Sequence, residues 1–113
     1  MSKQIDTHAH SLPTQNICLT LLCSPEIEEN VLDTLLMSPY ASIFTSAPTA
    51  AHGLAFAKLS ATEHVLGRAS AVQIQLIFPD SHQAQLLAQL KQQFAGAGMR
   101  YWLYPVAEAG EIL

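Results

Sequence analysis

Six blocks of apolar periodicity organise the chain, four short and two with a helical repeat. Residues 16–23, NICLTLLC, are a continuous apolar run closed by Ser24-Pro25, the pattern of a strand covered on both faces. Ser24, Pro25 and the acidic Glu26, Glu28 and Glu29 then provide the cap, first-turn proline and dipole-matched charge of a helix start. Ile27, Val31 and Leu35 recur every four residues, with Leu32 and Leu36 widening the stripe. This predicts a first helix to about Met37, stopped at Ser38-Pro39. Residues 40–47, YASIFTSA, carry β-branched and aromatic side chains and end at Pro48, predicting a second strand.

Residues 69–78 alternate strictly, with Ala71, Gln73, Gln75 and Ile77 on one face and Val72, Ile74, Leu76 and Phe78 on the other, which predicts a third strand. Pro79 ends it. Asp80 and Gln83 have capping-box spacing, Leu87, Leu90 and Phe94 mark the stripe of a second helix, and Gly96 is its stop. Residues 99–106, MRYWLYPV, alternate as a fourth strand before the short tail AEAGEIL.

The order β α β β α β predicts an α+β, ferredoxin-like sandwich: a four-stranded antiparallel sheet with two helices on one face. Residues 1–15 read as a flexible N-terminal arm, 16–113 as a single domain, and 48–67 as a long loop between strands two and three. Helices on one face leave the other bare, yet strand one offers Cys18, Thr20 and Leu22 on one face and Leu19 and Leu21 on the other, and strand four offers Tyr101 and Leu103 opposite Trp102 and Tyr104, so the bare face is apolar too. The chain holds no element to cover it, so identical subunits are expected to pack sheet against sheet.

Composition sharpens that expectation. The 113 residues are 50% hydrophobic and only 12% charged, enough for one domain and too little charge to screen every apolar surface. A net charge of −4 without a run of Lys or Arg argues against nucleic acid or an anionic membrane as partner. Residues 1–15 have no apolar core of signal-peptide length, and no segment reaches eighteen apolar residues. A cytoplasmic protein without membrane insertion is therefore expected. Cys18 and Cys23 are five residues apart in one strand and face opposite sides, which argues against a disulfide or a shared metal site.

The topology gathers the candidate chemistry at one end of the sheet: the strand-one exit, the 48–67 connection, Arg68, and the Gly96-Ala97-Gly98 turn leading to Arg100. Gly96 and Gly98 with Arg68 and Arg100 could cradle a phosphate or carboxylate, or form an ordinary helix stop and turn. Ser60 and Glu63 have capping-box spacing ahead of Gly67, predicting a helical turn in the connection. His8 and His10 supply two possible metal ligands without a fixed third. His52 and His64 of three subunits around an axis could complete a site for a divalent or soft metal ion, although His64 also fits the polar face of the helical turn. His82 lies at the opposite end and reads as solvated. No nucleophile elbow, phosphate loop or compact metal triad points to an enzyme.

In CLTLLCSPEIEENVLDTLL (18–36), FTS (44–46), HGL (52–54), LSATEHVLGR (59–68) and GAGMRYWLYPVAEAG (96–110), the chain resembles the PII-like superfamily. More closely it is similar to the bacterial family called domain of unknown function 3240. The resemblance implies a homotrimer with sheets facing a central axis, a long loop that contacts a partner such as a membrane transporter, and a nucleotide between subunits against the Gly-rich turn. This turn lacks an adjacent Lys or Asp and the loop lacks the modifiable tyrosine of classical members, which weighs against ATP. Members of that family often occur beside heavy-metal efflux components and share their fold with the CutA metal-tolerance proteins, so the resemblance implies a link to metal homeostasis. Two functions follow from it. One is a trimeric regulatory or sensor module signalling to a transporter or efflux component; the other is a direct metal-binding accessory using His52, His64 and Cys23.

Overall fold

Strict alternation in the third strand block generates the longest element among the described residues. The computed structural model describes residues 15–53 and 68–113. In it β1 is Asn16–Cys23, α1 Glu28–Met37, β2 Phe44–His52, β3 Arg68–Pro79, α2 Gln83–Gln93 and β4 Arg100–Val106. The strands form one antiparallel sheet in the order β2-β3-β1-β4. With the helices packed on one face, this is the ferredoxin-like arrangement that the order of elements predicts.

Register assigns the two faces. Ile17 pairs with Phe78, Leu19 with Leu76, Leu21 with Ile74 and Cys23 with Val72, and these residues meet Val31 and Leu35 of α1 and Leu86 and Leu90 of α2 in one buried cluster. Both helices contribute residues four apart, which stack on a single helix face. Each fully buried aliphatic side chain here stabilises the fold by about 1.5–3 kcal/mol. Leu36, expected in the α1 stripe, is 70% exposed. It lies about 140° around the helix from Val31 and so falls outside the buried arc. In α2 the deep anchors are Leu86 and Leu90, while Leu87 and Phe94 pack at the margin.

Three local expectations are corrected. Neither helix start has a side-chain cap. Instead each helix is entered through a 3-10 turn, Pro25–Ile27 and Asp80–His82, whose i→i+3 bonds occupy donors that a cap would otherwise satisfy. The second strand begins at Phe44, not residue 40, and runs through Pro48 to His52. Since β2 is an edge strand, a proline can sit where its missing N–H would face away from the sheet. The connection to β3 therefore begins at Gly53 rather than at Pro48. His82 is half-buried, with its ring edge-on to Tyr40 at 5.6 Å.

Buried Ser38, at the exit of α1, ties the two helices together. Its hydroxyl donates to Gln89 Oε1 at 2.8 Å and accepts the Tyr40 N–H at 3.1 Å. Ser38→Ala is expected to cost about 1–3 kcal/mol, because it leaves the Tyr40 donor and the Gln89 acceptor without that partner. Urea denaturation reads this directly, and an unchanged midpoint would show that the link contributes nothing.

Candidate functional site

The turn between α2 and β4 is built by backbone geometry. The Phe94 N–H donates to the Leu90 carbonyl at 2.9 Å and the Ala97 N–H to that of Phe94 at 3.1 Å, closing the helix. Gly96 and Gly98 then take φ of +80° and +76°, left-handed values that side chains rarely adopt. A Cβ added at Gly96 would meet nothing within 4 Å, so that glycine answers the backbone angle and not a close neighbour.

Beneath this turn lies a cavity of about 220 Å³. Its deepest residues are the buried Leu21 of β1 and Leu90 of α2; Leu87, Phe94 and Met99 form its walls. Lys91 and Tyr101 also line it, with the Lys91 ammonium 5.3 Å from the centre of the Tyr101 ring. That distance is within cation–π range. Lys91 is also in the last turn of α2, where a cation complements the helix dipole.

Gly96, Gly98 and Arg100 all border the cavity. Arg100 pairs with Leu22, and by strand alternation its side chain leaves β4 on the face shared by Trp102 and Tyr104, away from Tyr101. Arg68 opens β3 opposite His52, five positions beyond the level of Arg100, or roughly 16 Å along the strand. Lys91, which sequence reading passed over, is the cation at the cavity. Its spacing of four from Leu87 and three from Phe94 was the available signal, since those intervals share a helix face.

His52 ends β2 and is exposed. His64, the expected helical turn before Gly67, and His8 and His10 of the arm lie outside the described residues. Among the described residues no group of three His, Cys, Asp or Glu is positioned to hold a metal ion. Cys23 and Cys18 are both free and buried. Burial pushes the Cys23 thiol up, with the Glu28 carboxylate adding to the effect, which disfavours the thiolate that a metal requires.

The sheet face opposite the helices has a different character. Ile77, Trp102 and Tyr104 are 38%, 46% and 44% exposed there, around a seam formed by Cys18, Thr20 and Gln75. Thr20 is fully buried between its cross-strand partners Gln75 and Trp102, and its hydroxyl accepts the Gln75 side-chain N–H at 3.3 Å. The Tyr104 phenol is held above its ordinary value, first by its hydrogen bond with the Cys18 side chain and then by that group's charge. Hydrogen bonds with Thr20 and Gln75 pull it the other way. No helix among the described residues is long and apolar enough to cross a membrane.

A sheet of this order, with helices on one face and a Gly-rich turn before the last strand, defines a protein of PII-like fold. The chain belongs to the family described as protein of unknown function (DUF3240), whose model matches residues 13–113. A DUF3240 family protein from Shewanella baltica OS155 is similar in structure, with a TM-score of 0.73 and 20% identity over 90% of this chain and 100% of that one. CPII, a nitrogen regulatory PII-like protein from Thiomonas intermedia K12 bound to ADP, AMP and bicarbonate, matches with a TM-score of 0.66 at 13% identity, covering 87% and 97% of the two chains. The periplasmic divalent cation tolerance protein CutA from Archaeoglobus fulgidus matches with a TM-score of 0.65 at 12% identity over 85% and 88%. No protein of curated function matches the chain.

Proposed function

We propose that the chain is a regulatory subunit of the PII-like kind that binds and signals rather than catalyses. Copies pack sheet against sheet as a cytoplasmic homotrimer. A small anionic ligand or metal ion occupies the clefts near the α2–β4 turn, and the bound state is passed to a membrane transporter or efflux component. The carrying observation is the open sheet face, where Ile77, Trp102 and Tyr104 stay exposed in the single chain. Contiguous apolar surface of this kind marks an interaction site. The Gly96–Arg100 turn, with its cavity and Lys91 on the helix side of the sheet, supports a ligand there.

Native mass spectrometry with calorimetric titration of ADP, AMP and bicarbonate tests this. The expected outcome is a species of three times the 12.3 kDa chain mass with saturable binding of at least one anion. A monomer that binds none of these ions and no metal would refute it. Copper, zinc, cobalt and cadmium form the second arm of the titration. Metal binding that is lost in His52→Ala and His64→Ala would identify a direct metal-binding accessory instead.

A further inference from the structure

We propose that the cavity under the α2–β4 turn takes a compact aromatic monocarboxylate, an anion of benzoate size. The proposal rests on the reading of that turn as a ligand site and names the ligand's chemical class.

Size comes first. An apolar protein cavity of about 150 Å³ accepts benzene, and ligands of drug size occupy about 300 Å³ or more. At about 220 Å³ the cavity, which opens to solvent on one side, has room for a benzene ring and one substituent. Its lining selects the body of the ligand. Leu21 and Leu90 present buried aliphatic surface, and Phe94 and Met99 add a phenyl ring and a thioether to the lining, both of which pack favourably against an aromatic ring.

Charge selects the substituent. Among the described lining residues there is no Asp or Glu, although the chain as a whole carries a net charge of −4. Exposed Lys91 stands at the mouth of the cavity with its ammonium over Tyr101, where it can meet an anion. A carboxylate facing it forms a charge-assisted hydrogen bond, roughly twice as strong as a neutral one. A neutral ligand of the same shape gains only the apolar contacts.

The test is methyl-resolved NMR with calorimetry on the full chain, using benzoate, the neutral analogue benzyl alcohol, ADP and bicarbonate as probes. Benzoate is expected to shift the Met99, Leu87 and Leu90 methyl signals saturably, with benzyl alcohol at least tenfold weaker. Lys91→Met keeps the aliphatic stem and removes the charge. It should weaken benzoate at least tenfold and leave benzyl alcohol unchanged, with cooperative unfolding retained. Leu87→Phe, which fills the wall, should weaken both. Equal affinity for benzoate and benzyl alcohol would overturn the proposal. ADP or bicarbonate moving these methyls while benzoate does not would overturn the ligand class and leave the turn as a ligand site. Methyl signals unmoved by all four probes would overturn the class and the site together.

Discussion

Ile77→Asp is expected to reduce the assembly to a folded 12.3 kDa monomer. Ile77 lies on an inner strand of the open sheet face, toward its Pro79 end, paired with Cys18 and 38% exposed in the isolated chain. In a lone protomer an aspartate there stays hydrated and the helix-side core is untouched, so the fold survives. In a sheet-to-sheet assembly the same carboxylate is taken out of water, and Arg100, the cation on this face, lies four positions farther along β1 in the same protomer. The effective penalty is several kcal/mol per copy, with about 1.5–3 kcal/mol of lost apolar burial added to it. Every subunit of a closed assembly carries the defect, so the cost repeats at each contact. Light scattering coupled to size exclusion gives the mass, and circular dichroism reports the fold. Leu36→Asp is the control. It places the same charge on an exposed residue of α1 and should leave the mass unchanged. An Ile77→Asp protein with the wild-type mass would remove the open face as the interface, and with it the main support for the proposed trimer.

That face was legible in the sequence because a strand's side-chain period of two is local information. Counting alone puts Cys18, Thr20 and Leu22 on one side of β1, and Trp102 and Tyr104 on one side of β4; the observed register brings the two sets onto the same open face. The same count applied to Arg100 puts its side chain on the Trp102 face, so its separation from the Tyr101 side was also readable. Other features depend on partners distant in sequence. Whether Pro48 ends a strand is decided by whether that strand lies at an edge, which the order β2-β3-β1-β4 settles and no neighbouring residue does. Leu86 and Leu87 differ by 100° around α2, and only docking against β1 and β3 makes Leu86 the deep one. Lys91 in the last turn of a helix reads as a solvated, dipole-matched cation until β4 returns alongside and sets Tyr101 beneath it. Ser24 and Asp80 carry the right chemistry for caps, and the 3-10 entries displace them.

Phe78→Ala is expected to cost about 3–5 kcal/mol, a large share of the 5–15 kcal/mol that holds a typical domain. Phe78 is among the largest fully buried side chains and belongs to the cluster that joins the sheet to both helices. It lies at the far end of β3 from the α2–β4 turn, opposite Ile17 and one residue before Pro79. Truncation removes the ring's transfer free energy and leaves a void that β1 and β3, fixed by their ladder, cannot close. In urea the midpoint should fall by about 2 M with little change in slope. Because oligomer stability depends on protomer concentration, the comparison is best made in the Ile77→Asp background. Positions 77 and 78 point to opposite faces, so the two changes report on separate surfaces. A Phe78→Ala protein that unfolds at the parent midpoint would mean that the ring does not anchor the core, and the helix-side packing described for β3 would have to be wrong.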